Sequence, residues 1–138
     1  GKAINVNASL ASIDLSGDLL DPQFTIGSEG ALALAKALEV NESITNLNLA
    51  SNKIEKDGAV ALGKAINVNA SLTSIDLSGD LLDPQFTIGS EGAIALSEAL
   101  NVNASLTNLS LGINGIGNDG ALALAKALEV NASLKSLK

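Results

Sequence analysis

Apolar positions along the chain follow two alternating rhythms. Leu10-x-x-Ile13-x-Leu15 ends on every second position, and the spacing returns as Ile44-x-x-Leu47-x-Leu49, Leu72-x-x-Ile75-x-Leu77 and Leu106-x-x-Leu109-x-Leu111. It begins a fifth time at Leu134-x-x-Leu137. A period of two predicts a short strand with Leu15-type positions facing inward. After each strand the period changes. In Gly30-Ala31-Leu32-Ala33-Leu34-Ala35-Lys36-Ala37-Leu38, the side chains of Ala31, Leu34 and Leu38 share one face of a helix, and the stretch returns at 58–66, 92–100 and 120–128. The strand motifs start 34, 28, 34 and 28 residues apart, so the unit alternates in length with a super-repeat of 62.

Punctuation recurs with the same period. An acid precedes the helix glycine every time (Glu29, Asp57, Glu91, Asp119), placing negative charge at the positive end of the helix dipole. Each helix runs out at Val-Asn (40–41, 68–69, 102–103, 130–131), and asparagine tolerates the left-handed conformation that closes a helix, so these asparagines read as C-terminal caps. Lys2 to Asn7 repeats such a helix tail. A lone strand or helix of this kind cannot bury its apolar side, so each unit needs its neighbours. Stacking predicts parallel strands on one side and helices on the other. Because helices are wider than strands, the array curves with the strands on its concave face.

The wording Leu-x-x-Leu-x-Leu-x-x-Asn-x-Ile followed by Gly-Ala-x-Ala-Leu-x-x-Ala-Leu resembles the ribonuclease-inhibitor class of leucine-rich repeats, also found in NOD-like receptors. The stretch from Ile44 to Ile66 fits it nearly throughout. The resemblance implies a right-handed α/β solenoid of four to five repeats, spanning residues 1–138 as one domain, that binds proteins through its concave face. Two features depart from the pattern. The family's Asn stands at Asn52 and Asn114 but gives way to Asp18 and Asp80 in the long units, and those units carry six extra residues before the following Ile.

The insert Asp18-Leu19-Leu20-Asp21-Pro22-Gln23-Phe24-Thr25 returns at 80–87 and holds both Phe and both Pro residues of the chain. Leu19, Leu20, Phe24, Leu81, Leu82 and Phe86 are therefore candidate interaction residues on two loops that leave the same edge. The competing reading tucks them against the next repeat, as apolar loop residues usually are. Residues 2–31 match 64–93 at every position except Ala11 against Thr73, whereas 32–63 and 94–125 differ at many places. Either the insert-bearing module is constrained or recently homogenised, or it was copied deliberately as part of an engineered or consensus protein.

Composition narrows the chemistry. The formal charge is −7, from 8 basic and 15 acidic residues, with no Arg, so a phosphate-neutralising surface is missing and neither nucleic acid nor an anionic membrane is expected. No His and no Cys leaves neither the usual metal ligands nor the usual base and nucleophile pairs; no enzyme, metal or cofactor is expected. Gly115-x-Gly117-x-x-Gly120 matches the dinucleotide fingerprint, but the second unit reads Lys53-Ile54-Glu55-Lys56-Asp57-Gly58 at the same place, which leaves nucleotide binding a distant alternative. Five Asn-x-Ser sequons sit at one repeat position, where capping and turn chemistry explain them better than glycosylation. With no apolar stretch of spanning length and no signal peptide, the expectation is a cytoplasmic protein.

Strand alternation gives the outward set, with Ser12, Asp14, Asn46, Asn48, Ser74, Asp76, Asn108 and Ser110 as its centre. That face is small, polar and weakly acidic, without the Trp, Tyr or Arg of strong hot spots. The chain opens in a helix tail and stops in a strand without an atypical terminal unit, so no capping repeat is visible; the end layers are expected to associate end to end or edge to edge, or else the chain is a fragment of a longer array. The leading reading is a non-enzymatic scaffold for a protein partner. The alternative is a structural repeat module, built for curvature or self-assembly, with no natural ligand.

Overall fold

The computed structural model describes residues 10–17, 25–80, 85 and 87–138. Five short strands, β1 (Ser12–Asp14), β2 (Asn46–Asn48), β3 (Ser74–Asp76), β4 (Asn108–Ser110) and β5 (Ser136–Leu137), alternate with four helices. These are α1 (Gly27–Val40), α2 (Glu55–Val68), α3 (Gly89–Leu100) and α4 (Gly117–Val130). The strands form one parallel sheet in the order of the sequence. Such crossovers through a helix run right-handed, because a right-twisted strand feeding a helix packs back onto the sheet only that way. Each helix packs on the next in the same order as the strands.

Register follows the repeat. Ile13, Leu47, Ile75, Leu109 and Leu137 stand side by side, as do Ser12, Asn46, Ser74, Asn108 and Ser136. The first row faces the helices and is buried in the inner strands; Leu49, Leu77 and Leu111 continue it one step along. Ala31, Leu34 and Leu38 come from the helix side to meet it, and their counterparts Ala59, Leu62, Ile66, Ala93, Leu96 and Leu100 repeat the contact. The described core is entirely aliphatic, which suits thin layers: each helix approaches its neighbour through alanines that take little room.

The helices begin and end differently from the sequence expectation. Their first turns carry Glu29, Asp57, Glu91 and Asp119 as expected, but the N-cap residues are Ile26, Ile54, Ile88 and Ile116, and none makes a side-chain capping bond. Charge against the dipole does the work that a capping hydroxyl does elsewhere. At the other end, the expected left-handed caps are absent. Asn41, Asn69 and Asn131 are extended, with φ near −80° and ψ near 130°, and α3 stops before Asn103, at Leu100. The asparagines are selected by what their side chains reach.

Asn69 shows the pattern. Its Oδ1 accepts from the backbone N–H of Ser71 (3.0 Å) and Leu72 (2.7 Å), closing the turn into β3. Its Nδ2 donates to the carbonyls of Leu38 (2.8 Å) and Asn41 (3.0 Å) in the preceding unit. Asn103 and Asn131 repeat both halves of this arrangement. The serine two residues on extends it: the hydroxyls of Ser43, Ser71, Ser105 and Ser133 donate to the carbonyls of Leu10, Ile44, Leu72 and Leu106. Each Asn-x-Ser among the described residues is thus a clamp between layers, and in Asn69, Asn103 and Asn131 the amide nitrogen that glycosylation would use is already engaged.

Candidate interaction surface

The strand face is the surface that the repeat leaves to solvent. Ser12, Asp14, Asn46 and Asn108 are exposed, while Asn48, Ser74, Asp76 and Ser110 are half-buried by their neighbours along the sheet. All eight residues singled out from strand alternation therefore lie on one side. They do not all point freely. Asp14 Oδ1 accepts from the Ser16 N–H (2.9 Å), Asn48 Oδ1 from the Ala50 N–H (3.0 Å), and Asp76 Oδ1 from the Ser78 N–H (2.9 Å) and hydroxyl (2.6 Å). In each case the side chain folds over the residue two ahead and fixes the turn that ends the strand. The hydroxyl and then the N–H of Ser16 hold the Asp14 carboxyl below its usual range, so this residue stays ionised on the face.

A threonine row borders these residues. The hydroxyls of Thr45, Thr73 and Thr107 donate to the carbonyls of Ala11, Thr45 and Thr73 (3.1, 3.1 and 3.0 Å), so the start of every inner strand is pinned to the strand before it. Sequence reasoning missed this row, although a polar β-branched residue at one strand position in three successive units was the available signal. It also missed Val40, Val68, Val102 and Val130, which are 61–66% exposed. They form an apolar row along the helix C-termini.

The candidate loop residues Leu19, Leu20, Phe24, Leu81, Leu82 and Phe86 lie outside the described residues. The ends of both loops are described, and they are held by the unit that follows. Leu15 O accepts from Asn52 Nδ2 (2.6 Å), and on the far side Asn52 Oδ1 accepts from the Ile26 N–H (3.1 Å). Asn114 does the same for the second loop, donating to Leu77 O (2.7 Å) and accepting from the Ile88 N–H (3.3 Å).

The glycines of the 115–120 fingerprint have backbone work to do. Gly115 and Gly117 sit at φ +55° and +66°, and Lys53 and Glu55 occupy the matching places of the second unit at +54° and +59°. The same left-handed turn is made with and without glycine, so its geometry belongs to the repeat. No group of three or more potential metal-ligating side chains is found among the described residues. No described helix is long and apolar enough to cross a membrane.

Comparison with known proteins agrees with the geometry. Residues 40–63 and 102–125 match the family model described as Leucine Rich repeat. Both stretches are units without the insert, the ones that carry Asn52 and Asn114. No curated protein matches the sequence. Among solved structures, the leiomodin-1 domain titled Actin-Binding Site 2 superimposes with a TM-score of 0.81 at 22% identity, covering 99% of this chain and 73% of that one. The tropomodulin C-terminal domain of Caenorhabditis elegans gives 0.80 at 17% identity, covering 99% and 77%. At such identities the likeness is one of fold, and with the repeat pattern and the parallel sheet it gives the chain the architecture of a leucine-rich-repeat solenoid.

Proposed function

We propose that this chain is a non-enzymatic protein-interaction scaffold that offers its strand face to a partner. The observation that carries the reading is the outward row itself. Asp14, Asn48 and Asp76 are held by their own turns on strands paired side by side in one sheet. A preorganised polar face gives up little side-chain entropy on binding. Two aspartates and a net charge of −7 favour a partner that is cationic and rich in hydrogen-bond donors. The leiomodin-1 domain of the same fold is named for binding actin, which supports a protein as the class of ligand and makes actin a defined first probe.

The test places a photo-crosslinking residue at Asn46 or Asn108 on the strand face and, as control, at Lys64 on the helix side. Discrete adducts with purified actin or with one extract protein, formed from the strand face alone and lost in Asp14→Lys/Asp76→Lys, are expected. Equal labelling from both sides, or adducts insensitive to that double variant, overturns the reading. A second reading, a structural module whose role is assembly, is favoured by the near-identity of 2–31 and 64–93. In that case the strand face captures nothing and the chain forms defined oligomers.

A further inference from the structure

All five strands run parallel, so the four helix C-termini share one edge of the solenoid. Along that edge two local rules are broken in unit after unit. Val40, Val68 and Val130 end α1, α2 and α4, Val102 stands two residues beyond α3, and all four are 61–66% exposed, in the inner units as much as elsewhere. A β-branched side chain held in solvent adds nothing to a helix end, where Lys or Arg would complement the dipole. Yet no helix has a basic residue in its last turn. Glu39, Glu98 and Glu129 stand there instead, in α1, α3 and α4, with their charge set against the negative end of the dipole. Among the described residues the ion pair is Lys56 with Glu91, at the opposite helix ends, so the chain itself does not neutralise this edge. Between its first two units the edge holds a groove of about 300 Å³, with Glu39 and Glu42 on one side and Val68 and Ala70 on the other. Asn41 and Asn69 also line it, and both are buried with their side chains engaged in the backbone, which keeps its shape fixed.

We propose that this edge docks a lysine-bearing amphipathic α-helix of a protein partner, laid across the units along the valine row. Exposed apolar side chains in a negative field fit a partner that is aliphatic on its contact face and cationic beside it. The spacing fits a helix. Packed helices stand about 8–10 Å apart, and an α-helix advances about 10 Å in seven residues, so apolar positions at i, i+7, i+14 and i+21 meet the four valines in turn. The groove fits a lysine: its aliphatic stem lies on Val68 and Ala70 while its ammonium reaches the Glu39 and Glu42 carboxylates. A second copy of this chain, with the same −7 charge and the same acidic edge, is repelled from it. The edge lies apart from the strand-face residues Asn46 and Asn108, so this contact stands or falls independently of the proposed partner site.

Two fluorescein-labelled synthetic peptides of about 22 residues test it. Both carry leucine at every seventh position on an alanine-rich helical frame; one has lysines flanking the leucines and the other glutamates. Fluorescence anisotropy is expected to show saturable binding of the lysine peptide to the 138-residue chain, weaker at high salt, with a gain of helical circular dichroism on mixing. Val40→Ser/Val68→Ser/Val102→Ser, which alters exposed positions alone, is expected to keep the circular dichroism of the free chain and to weaken binding on the order of tenfold or more. Glu39→Gln/Glu42→Gln is expected to narrow the preference for the lysine peptide over the glutamate peptide. Asn46→Ala/Asn108→Ala, on the strand face, is expected to leave binding unaltered. No binding of the lysine peptide by wild type, equal binding of the two peptides, or full affinity in the folded valine variant overturns the proposal. So does an undiminished lysine preference in Glu39→Gln/Glu42→Gln, or loss of binding in the strand-face variant.

Discussion

Replacing Asn69 by Ala tests the interlayer clamp where it is most enclosed. Asn69 is 5% exposed, and its side chain makes four hydrogen bonds to backbone groups, two as donor and two as acceptor. A hydrogen bond contributes about 1 kcal/mol net, and a buried group left without a partner costs about 1–3 kcal/mol. Four such losses would sum to about 4 kcal/mol, reduced where water enters the space the amide vacates, so about 3 kcal/mol is expected. Asn131 has the same four bonds, but it stands half-buried in the last layer where its partners rehydrate, so Asn131→Ala should cost about 1 kcal/mol. The two variants hold the chemistry constant and change only the burial.

Guanidinium denaturation followed by far-ultraviolet circular dichroism measures the difference, since the chain has no Trp or Tyr to report by fluorescence. Because solenoid stability is a sum of repeat and neighbour contributions, Asn69→Ala should also broaden the transition as the layers on either side uncouple. Asn69→Asp adds a pH signature. Its carboxylate would face the Leu38 and Asn41 carbonyls, raising its folded pKa above the free value of about 3.9. A raised acid pKa destabilises the folded state once pH exceeds the unfolded value, so this variant should lose stability as pH rises above about 4 and level off beyond the folded pKa. A cost for Asn69→Ala below about 1 kcal/mol, or one no larger than that of Asn131→Ala, would refute the clamp as the element joining the layers.

Two further outcomes follow from backbone geometry. Gly27, Gly89 and Gly117 open their helices at φ +64° to +66°, and Glu55 alone makes the same turn without glycine, at +59°; Glu55→Gly should therefore stabilise the chain by about 0.5–1 kcal/mol in thermal melts, and a loss would show that the turn is not strained. A Cβ on Gly79 would lie 2.1 Å from the Ile113 carbonyl oxygen, whereas one on Gly112 would meet nothing within 4 Å; Gly79→Ala should cost about 1–3 kcal/mol and Gly112→Ala close to nothing in the same measurement, and equal effects would contradict the close approach.

Period and register were legible because side-chain direction alone sets them. Strand alternation placed Ser12, Asn46, Ser74 and Asn108 in one row and Ile13, Leu47, Ile75 and Leu109 in another, and the helical spacing found Ala31, Leu34 and Leu38. What the sequence hid was direction between layers. Asn41 and its equivalents look like helix ends, and a left-handed cap was the local explanation; the bond that selects them runs to a carbonyl about 30 residues away, as Asn69 to Leu38 does. The left-handed turn was hidden for the opposite reason, since Lys53 and Glu55 stand where glycine would have announced it. Exposure of the valine row was illegible because periodicity says that a position repeats, and not whether the next layer covers it.

The alternation of 28 and 34 residues acquires a physical reason from the two loop clamps. Each long unit carries Asp18 or Asp80 where the short units have Asn52 or Asn114. Each short unit keeps the asparagine and spends it on the long unit before it: one amide takes the carbonyl where the chain leaves the strand and the N–H where it rejoins the helix. The backbone reinforces both points, since Gly17 donates to Ala50 O and Gly27 to Asn52 O, with Gly79 and Gly89 doing likewise to Gly112 O and Asn114 O. Gly17 and Gly79 must be glycine because that approach leaves no space for a Cβ beside the Ser51 and Ile113 carbonyls. Each insert of six residues is thus followed by a unit whose asparagine holds both of its ends.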